Sequence, residues 1–373
     1  MPFVSDKKRA FEGDVVELLT DLPNFNLNRG QRGVVITEFD SPSEAYDLEI
    51  VDEKGGLVGF AYSVKPDQFT NLSRNAFVRA MEAIERGDLI TAEKQLRTAT
   101  DLRPDYIGSF VMSVLNSFDE RVELGGLEGE VSFVIPLLRM AIRVDPTYEI
   151  ARINLAVAFL NFGVAKARKG EHEQALELFY SALSIKTDAE TESRIRTNIV
   201  IAQTALGRKF FLVDQVGEAF ASIRAAFLVI QDETTRRNLG IAYGNSGVFY
   251  LKSENFDLAG QMFERAEDSG VVLPDFVNDY GVCLVFQGRL NEAKRAFERV
   301  LEMEPQNEVA RSNLARLNLI EQQSTDKISP DRRVLAKGLL VPTNGVIEFD
   351  ERMPETLAWR EPAFPAAELA PAA

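Results

Sequence analysis

The sequence predicts a multidomain α+β chain. A small β domain covers residues 1–70, an all-α helical solenoid 71–321, and an irregular tail 322–373. Three observations carry this. A glycine followed twelve residues later by alanine, then by a phenylalanine, recurs at Gly163, Gly247 and Gly281; with Gly207, which has Ile223 in place of the ring, successive units are spaced 34 to 44 residues apart. Self-similarity of that period is the mark of stacked helical hairpins that bury one another's apolar faces. Ahead of it, Tyr46, Leu48 and Ile50 alternate with Asp47 and Glu49, as in a half-buried strand. After Gln323 both periodicities stop.

The β segment opens with the apolar run Val15, Val16, Leu18 and Leu19, ending at the turn signal Asp21-Leu22-Pro23. Gly30 and Gly33 bracket a second turn before Val34-Val35-Ile36. Lys54-Gly55-Gly56 closes a hairpin onto Leu57 to Val64, since two glycines tolerate positive φ. Short strands at this spacing make a small barrel or a strongly curled sheet. Gly13-Asp14-Val15-Val16, Leu22-Pro23, Arg29-Gly30, Gly33-Val34-Val35 and Tyr46 through Asp52 resemble a bacterial family of small SH3-like β-barrel domains of unknown function. The resemblance implies a fold and no activity. It leaves two roles open, a peptide groove or a domain that docks on the first repeat or a neighbour.

From about residue 73 the pattern is helical. The second-helix triplets are Ala92/Leu96/Ala99, Val134/Leu138/Ala141, Ala175/Phe179/Ala182, Ala219/Ile223/Ala226, Ala259/Phe263/Ala266 and Ala293/Phe297/Val300. Pro104, Pro146 and Pro305 stand where helices should end. In these positions the chain resembles the tetratricopeptide-repeat family, which implies about six hairpins, a capping helix and a protein-binding role. Val134 and Val300 depart from its small residues. Asn154, Asn198 and Asn238 lie nine residues before Gly163, Gly207 and Gly247, already inside apolar helical pattern, whereas Pro274 interrupts the equivalent stretch before Gly281. Three first helices therefore gain about seven residues, roughly 10 Å, predicted to form a projecting ridge. For the three asparagines a structural role outweighs the alternative of binding a ligand. Gly125, Gly126 and Gly129 predict a looser loop in the second repeat.

Composition bounds function. A net charge of −15 argues against nucleic acid, which needs a basic face. No run near 18 apolar residues and no signal-peptide pattern stands out, so a cytoplasmic protein without direct membrane insertion is expected, with membrane association only through a partner complex. The one cysteine, Cys283, reads as a buried inert thiol, and the one histidine, His172, as a solvated turn residue. Gly125 to Gly129 lacks the lysine and Ser/Thr of a phosphate loop. No enzyme, cofactor or metal site is expected.

The resemblance to the repeat family implies a concave face lined by first helices. Positions six and three before the small residue select Val157, Leu160, Ile201, Thr204, Ile241, Gly244, Asp275, Asn278, Val309 and Ser312, with Arg208, Val282 and Arg316 just after it. One heptad earlier lie Ile150, Ile153, Arg194, Thr197, Thr234 and Arg237. Several of the aliphatics have a purely structural alternative, packing between helices. In the tail, apolar islands at Val346 to Phe349 and Leu357 to Arg360 offer Phe349, Leu357, Trp359 and Phe364 as anchors. They either hold a partner, dock on the chain itself or lie in plain disorder. The expected function is a non-enzymatic interaction scaffold, assembly factor or structural subunit of a larger bacterial complex. The alternative is a peptide-capturing regulatory or chaperone-like adaptor that its own tail inhibits.

Overall fold

Alternating burial along the first 71 residues builds five antiparallel strands. They are β1 (Val15–Leu18), β2 (Arg32–Phe39), β3 (Ala45–Val51), β4 (Leu57–Val64) and β5 (Phe69–Asn71). The computed structural model describes residues 9–40, 43–125, 127–323, 347–350 and 352–362, without the side chains of 118–132 and 320–323. The sheet order is β4-β3-β2-β1-β5, with β4 and β5 at its edges. Val16, Leu18, Val35, Tyr46, Leu48, Ile50 and Phe69 form its core. The hairpin expected at Lys54-Gly55-Gly56 joins β3 to β4: Gly55 has φ +79, and Asp52 Oδ1 accepts from the backbone of Lys54 and Gly56 at 2.8 and 2.7 Å.

Thirteen α-helices follow among the described residues. The chain divides into two units, one of Met1–Phe162, Ser184–Thr191 and Leu357–Ala373, the other of Gly163–Leu183 and Glu192–Thr356. The first holds the sheet, α1 (Leu72–Glu85), α2 (Leu89–Leu102), α3 (Tyr106–Gly125), α4 (Leu127–Val144) and α5 (Glu149–Arg168) as far as Phe162. No linker separates strand from helix, because Asn71 ends β5 and caps α1, its side chain accepting from Arg74 N. Asp14, fully buried, gathers this corner. Its carboxylate accepts from Asn71 Nδ2 (2.6 Å), Ser73 Oγ (3.1 Å), Arg103 Nη1 (3.0 Å) and Tyr106 Oη (3.0 Å), so one side chain ties the sheet to three helices. Burial, and then the Asp14 charge, push the Tyr106 phenol far up, which keeps it a donor.

The second unit holds the rest of α5, then α6 (His172–Leu183), α7 (Ala189–Leu212) from Glu192, α8 (Val216–Val229), α9 (Glu233–Lys252) and α10 (Phe256–Asp268). It ends with α11 (Pro274–Phe286), α12 (Leu290–Met303) and α13 (Glu308–Gln323). Every residue of the six second-helix triplets is at most 4% exposed, Val134 and Val300 included. The first-helix glycines face them. A Cβ on Gly163, Gly247 or Gly281 would stand 2.4, 2.8 or 2.6 Å from a ring carbon of Phe179, Phe263 or Phe297. The hairpins close only because those positions carry no side chain.

The structure differs from one expectation. Where a looser loop is expected in the second repeat, the described residues are helical: α3 runs to Gly125 and α4 starts at Leu127, with Gly129 inside it, while Gly126 lies outside the described residues. A glycine inside a helix costs only about 1 kcal/mol. Among the described residues one helix, α5, is long and apolar enough to cross a membrane, and 67% of that stretch is buried in the protein.

Candidate functional site

The first helices α5, α7 and α9 have 20, 24 and 20 residues, against 13 for α11. The extra turns carry Asn154, Asn198 and Asn238, no more than 2% exposed. A buried carboxamide needs hydrogen-bond partners, and its own helix supplies one only at Asn198, whose Nδ2 also donates to the Arg194 carbonyl at 3.0 Å. The tail supplies the rest.

In the second unit, Asn245 Nδ2 donates to the Ile347 carbonyl at 2.9 Å while Ile347 N donates to Asn245 Oδ1 at 2.9 Å. Asn238 holds Asp350 by the same two bonds at 3.1 and 2.9 Å. Asn198 holds Glu355 at 3.0 Å each way. In the first unit, Asn161 holds Leu357 at 2.9 Å each way and Asn154 holds Arg360 at 2.8 Å each way. Each carboxamide thus substitutes for one residue of a neighbouring strand, its oxygen and NH₂ side by side like a backbone C=O and N–H. Asn154 and Asn161, like Asn238 and Asn245, are seven apart, which returns to the same helix face after about 10.5 Å. The tail residues they hold are three apart, a repeat that polyproline II geometry covers in about 9 Å. The two periods match.

Side chains add to these clamps. Phe349 is 6% exposed and packs on Phe211 at 5.8 Å between ring centroids, within the core of the second unit, where Ile347 also rests. Arg237 Nε pairs with Asp350 at 3.2 Å, Arg194 pairs with Glu355, and Arg168 Nη2 donates to the Pro354 carbonyl at 3.2 Å. In the first unit Arg360 pairs with Glu190 and, at 3.7 Å, with Asp188.

The residues singled out from sequence fall into three groups. Arg194, Arg237 and Thr234 touch the tail, Thr234 Oγ1 accepting from Arg352 at 3.2 Å. Ile153 is buried at 6% exposure, Ile150 is half-buried, and Thr197 donates to Ser193 O of its own helix. Asp275, Ser312 and Arg316 are half-buried on α11 and α13, and Asn278 is buried, accepting from Asn313 Nδ2 at 2.9 Å. Burial, and then Glu304, push the Asp275 carboxyl up. Of the tail anchors, Phe349 is buried, Leu357 and Trp359 are half-buried, and Phe364 lies outside the described residues. Asn154, Asn198 and Asn238, for which a structural role is expected ahead of a ligand-binding one, each bind backbone of the chain's own tail. Asn161 and Asn245 were missed, although two asparagines seven apart on one apolar helix are themselves the signal.

Comparisons with known proteins agree with the repeats. Residues 12–70 match the family described as Domain of unknown function (DUF4926), and residues 245–307 match YpiA-like, C-terminal tetratricopeptide repeats. The chain therefore carries a β domain of that unassigned type over residues 12–70 and tetratricopeptide repeats over residues 245–307. No curated protein matches it. Among solved structures, MamA AMB-1 is similar at 18% identity, over 49% of this chain and 91% of its own, with a TM-score of 0.30. The P58(IPK) TPR domain is similar at 13% identity, over 71% and 70%, with a TM-score of 0.28. PilW, a type IV pilus biogenesis factor, is similar at 16% identity, over 63% and 95%, with a TM-score of 0.26.

Proposed function

We propose that this chain is a non-enzymatic protein-interaction module that captures extended segments on its first-helix faces by their backbone, and that residues 347–350 and 352–360 occupy those faces as an intramolecular competitor. One observation carries the reading: five asparagines each make the paired N–H and C=O bonds that an extended backbone needs. Main-chain capture of this kind supplies affinity without regard to side chains, as in strand addition to a sheet edge. The position of the tail favours an autoinhibited adaptor over a structural subunit whose tail leaves the body.

The test loosens the tail and leaves the face untouched. A full chain carrying Phe349→Asp and Leu357→Asp should bind a fluorescein-labelled peptide copying residues 347–362 at least tenfold more tightly than the unmodified chain does. Trypsin cutting after Arg352 reports release of the tail. A released tail with no peptide binding would remove the reading.

A further inference from the structure

We propose that the face of α7 and α9 selects segments of other proteins that carry an aromatic residue followed at once by a carboxylate, with a second carboxylate five residues further on. This rests on the peptide-capture reading and adds the partner's chemistry to it. The asparagine clamps touch only main chain, so they cannot tell one sequence from another. Beside the Ile347 contact and the bond from Arg352 to Thr234, discrimination falls chiefly to three side-chain contacts of the second unit. Phe349 fills an apolar site against Phe211. Asp350 meets Arg237 at 3.2 Å, and Glu355 meets Arg194. With the tail docked the two arginine side chains still keep 48% and 33% of their exposure, so a competing segment reaches them without unfolding the repeat.

Charge gives the arginines a second use. A chain of net charge −15 draws basic segments to itself without selectivity. Guanidinium groups on the capturing face turn those away and admit acidic ones, which is selection by repulsion as much as by attraction.

The occupant belongs to another protein for a kinetic and thermodynamic reason. A tethered tail meets its own face at an effective concentration on the order of millimolar. The same tail on a second copy offers identical contacts without that advantage, so it loses the competition at ordinary protein concentrations. Only a segment with the same chemistry and additional contacts of its own displaces the tail.

The experiment uses the full chain with Phe349→Asp and Leu357→Asp, its helix content checked by circular dichroism, and labelled peptides copying residues 347–362. Changing Asp350→Lys and Glu355→Lys in the peptide should weaken binding on the order of tenfold, the reversal of two partly exposed pairs. Adding Arg194→Glu and Arg237→Glu to the chain should restore the altered peptide and weaken the original one by a similar factor. Equal binding of both peptides to both chains would overturn the charge code and leave backbone capture standing. Failure of every peptide to bind would overturn capture itself. A mass of the unmodified chain that doubles between 1 and 100 μM, roughly the range where cis docking should win, would assign the face to a second copy instead.

Discussion

Asparagine is the side chain closest to a peptide group, with one acceptor and one two-proton donor in a plane. Asn238 uses both on Asp350, at 2.9 and 3.1 Å. Replacing it by leucine keeps the volume and removes both bonds. At about 0.5–1.5 kcal/mol each, their loss should shift tail closure by about 1–3 kcal/mol. Amide exchange at Asp350 then accelerates roughly 5- to 150-fold, read by hydrogen-exchange mass spectrometry; an unchanged rate would mean that the bonds contribute nothing. Asp14 is the second decisive residue. Removing one partner of a buried, hydrogen-bonded ion pair costs about 3–5 kcal/mol, so Asp14→Ala should lower the urea midpoint by that equivalent, and an unshifted midpoint would contradict the role given to this corner. Cys283 is fully buried, and desolvation holds its thiol well above the usual range. Native protein at pH 8 should resist iodoacetamide, with alkylation appearing only on unfolding; rapid labelling of the folded chain would refute the burial.

At the scale of the element, the hairpin is a glycine set against a ring. Gly281→Ala places a methyl 2.6 Å from Phe297, which is itself fully buried. Overpacking of that kind costs about 1–3 kcal/mol, and the urea midpoint should fall accordingly, whereas Gly217→Ala, with nothing within 4 Å, should not lower it. The hairpins were legible because burial repeats at helical spacing: each small residue, each ring and each terminating proline is a local signal. The lengthening of α5 and α9 was legible too, at seven residues over α11. Its purpose was not. Counting back six and three positions from the glycine lands on Val157 and Leu160, both fully buried core. The clamping positions are nine and two before it, and their meaning depends on a tail more than 100 residues distant in sequence. Two asparagines on one apolar face announce a buried hydrogen-bonding need. They do not say which backbone meets it.

At the scale of the whole molecule, the chain joins a β domain of unassigned role, an array of hairpins and a segment that binds the array. Covalent attachment makes docking depend on no second molecule, so dilution should not release the tail. The charged contacts are partly exposed, with Asp350 at 52% and Glu355 at 62%, and salt screens such pairs. High salt should therefore loosen the tail only slightly, because the asparagine bonds and Phe349 carry the larger share. The most direct measurement is residue-resolved amide exchange along residues 347–360 of the unmodified chain. Protection should fall on Ile347, Asp350, Glu355, Leu357 and Arg360, at least tenfold slower than Glu348 and Ala358. Uniformly fast exchange over all of these would contradict the clamp and the function built on it.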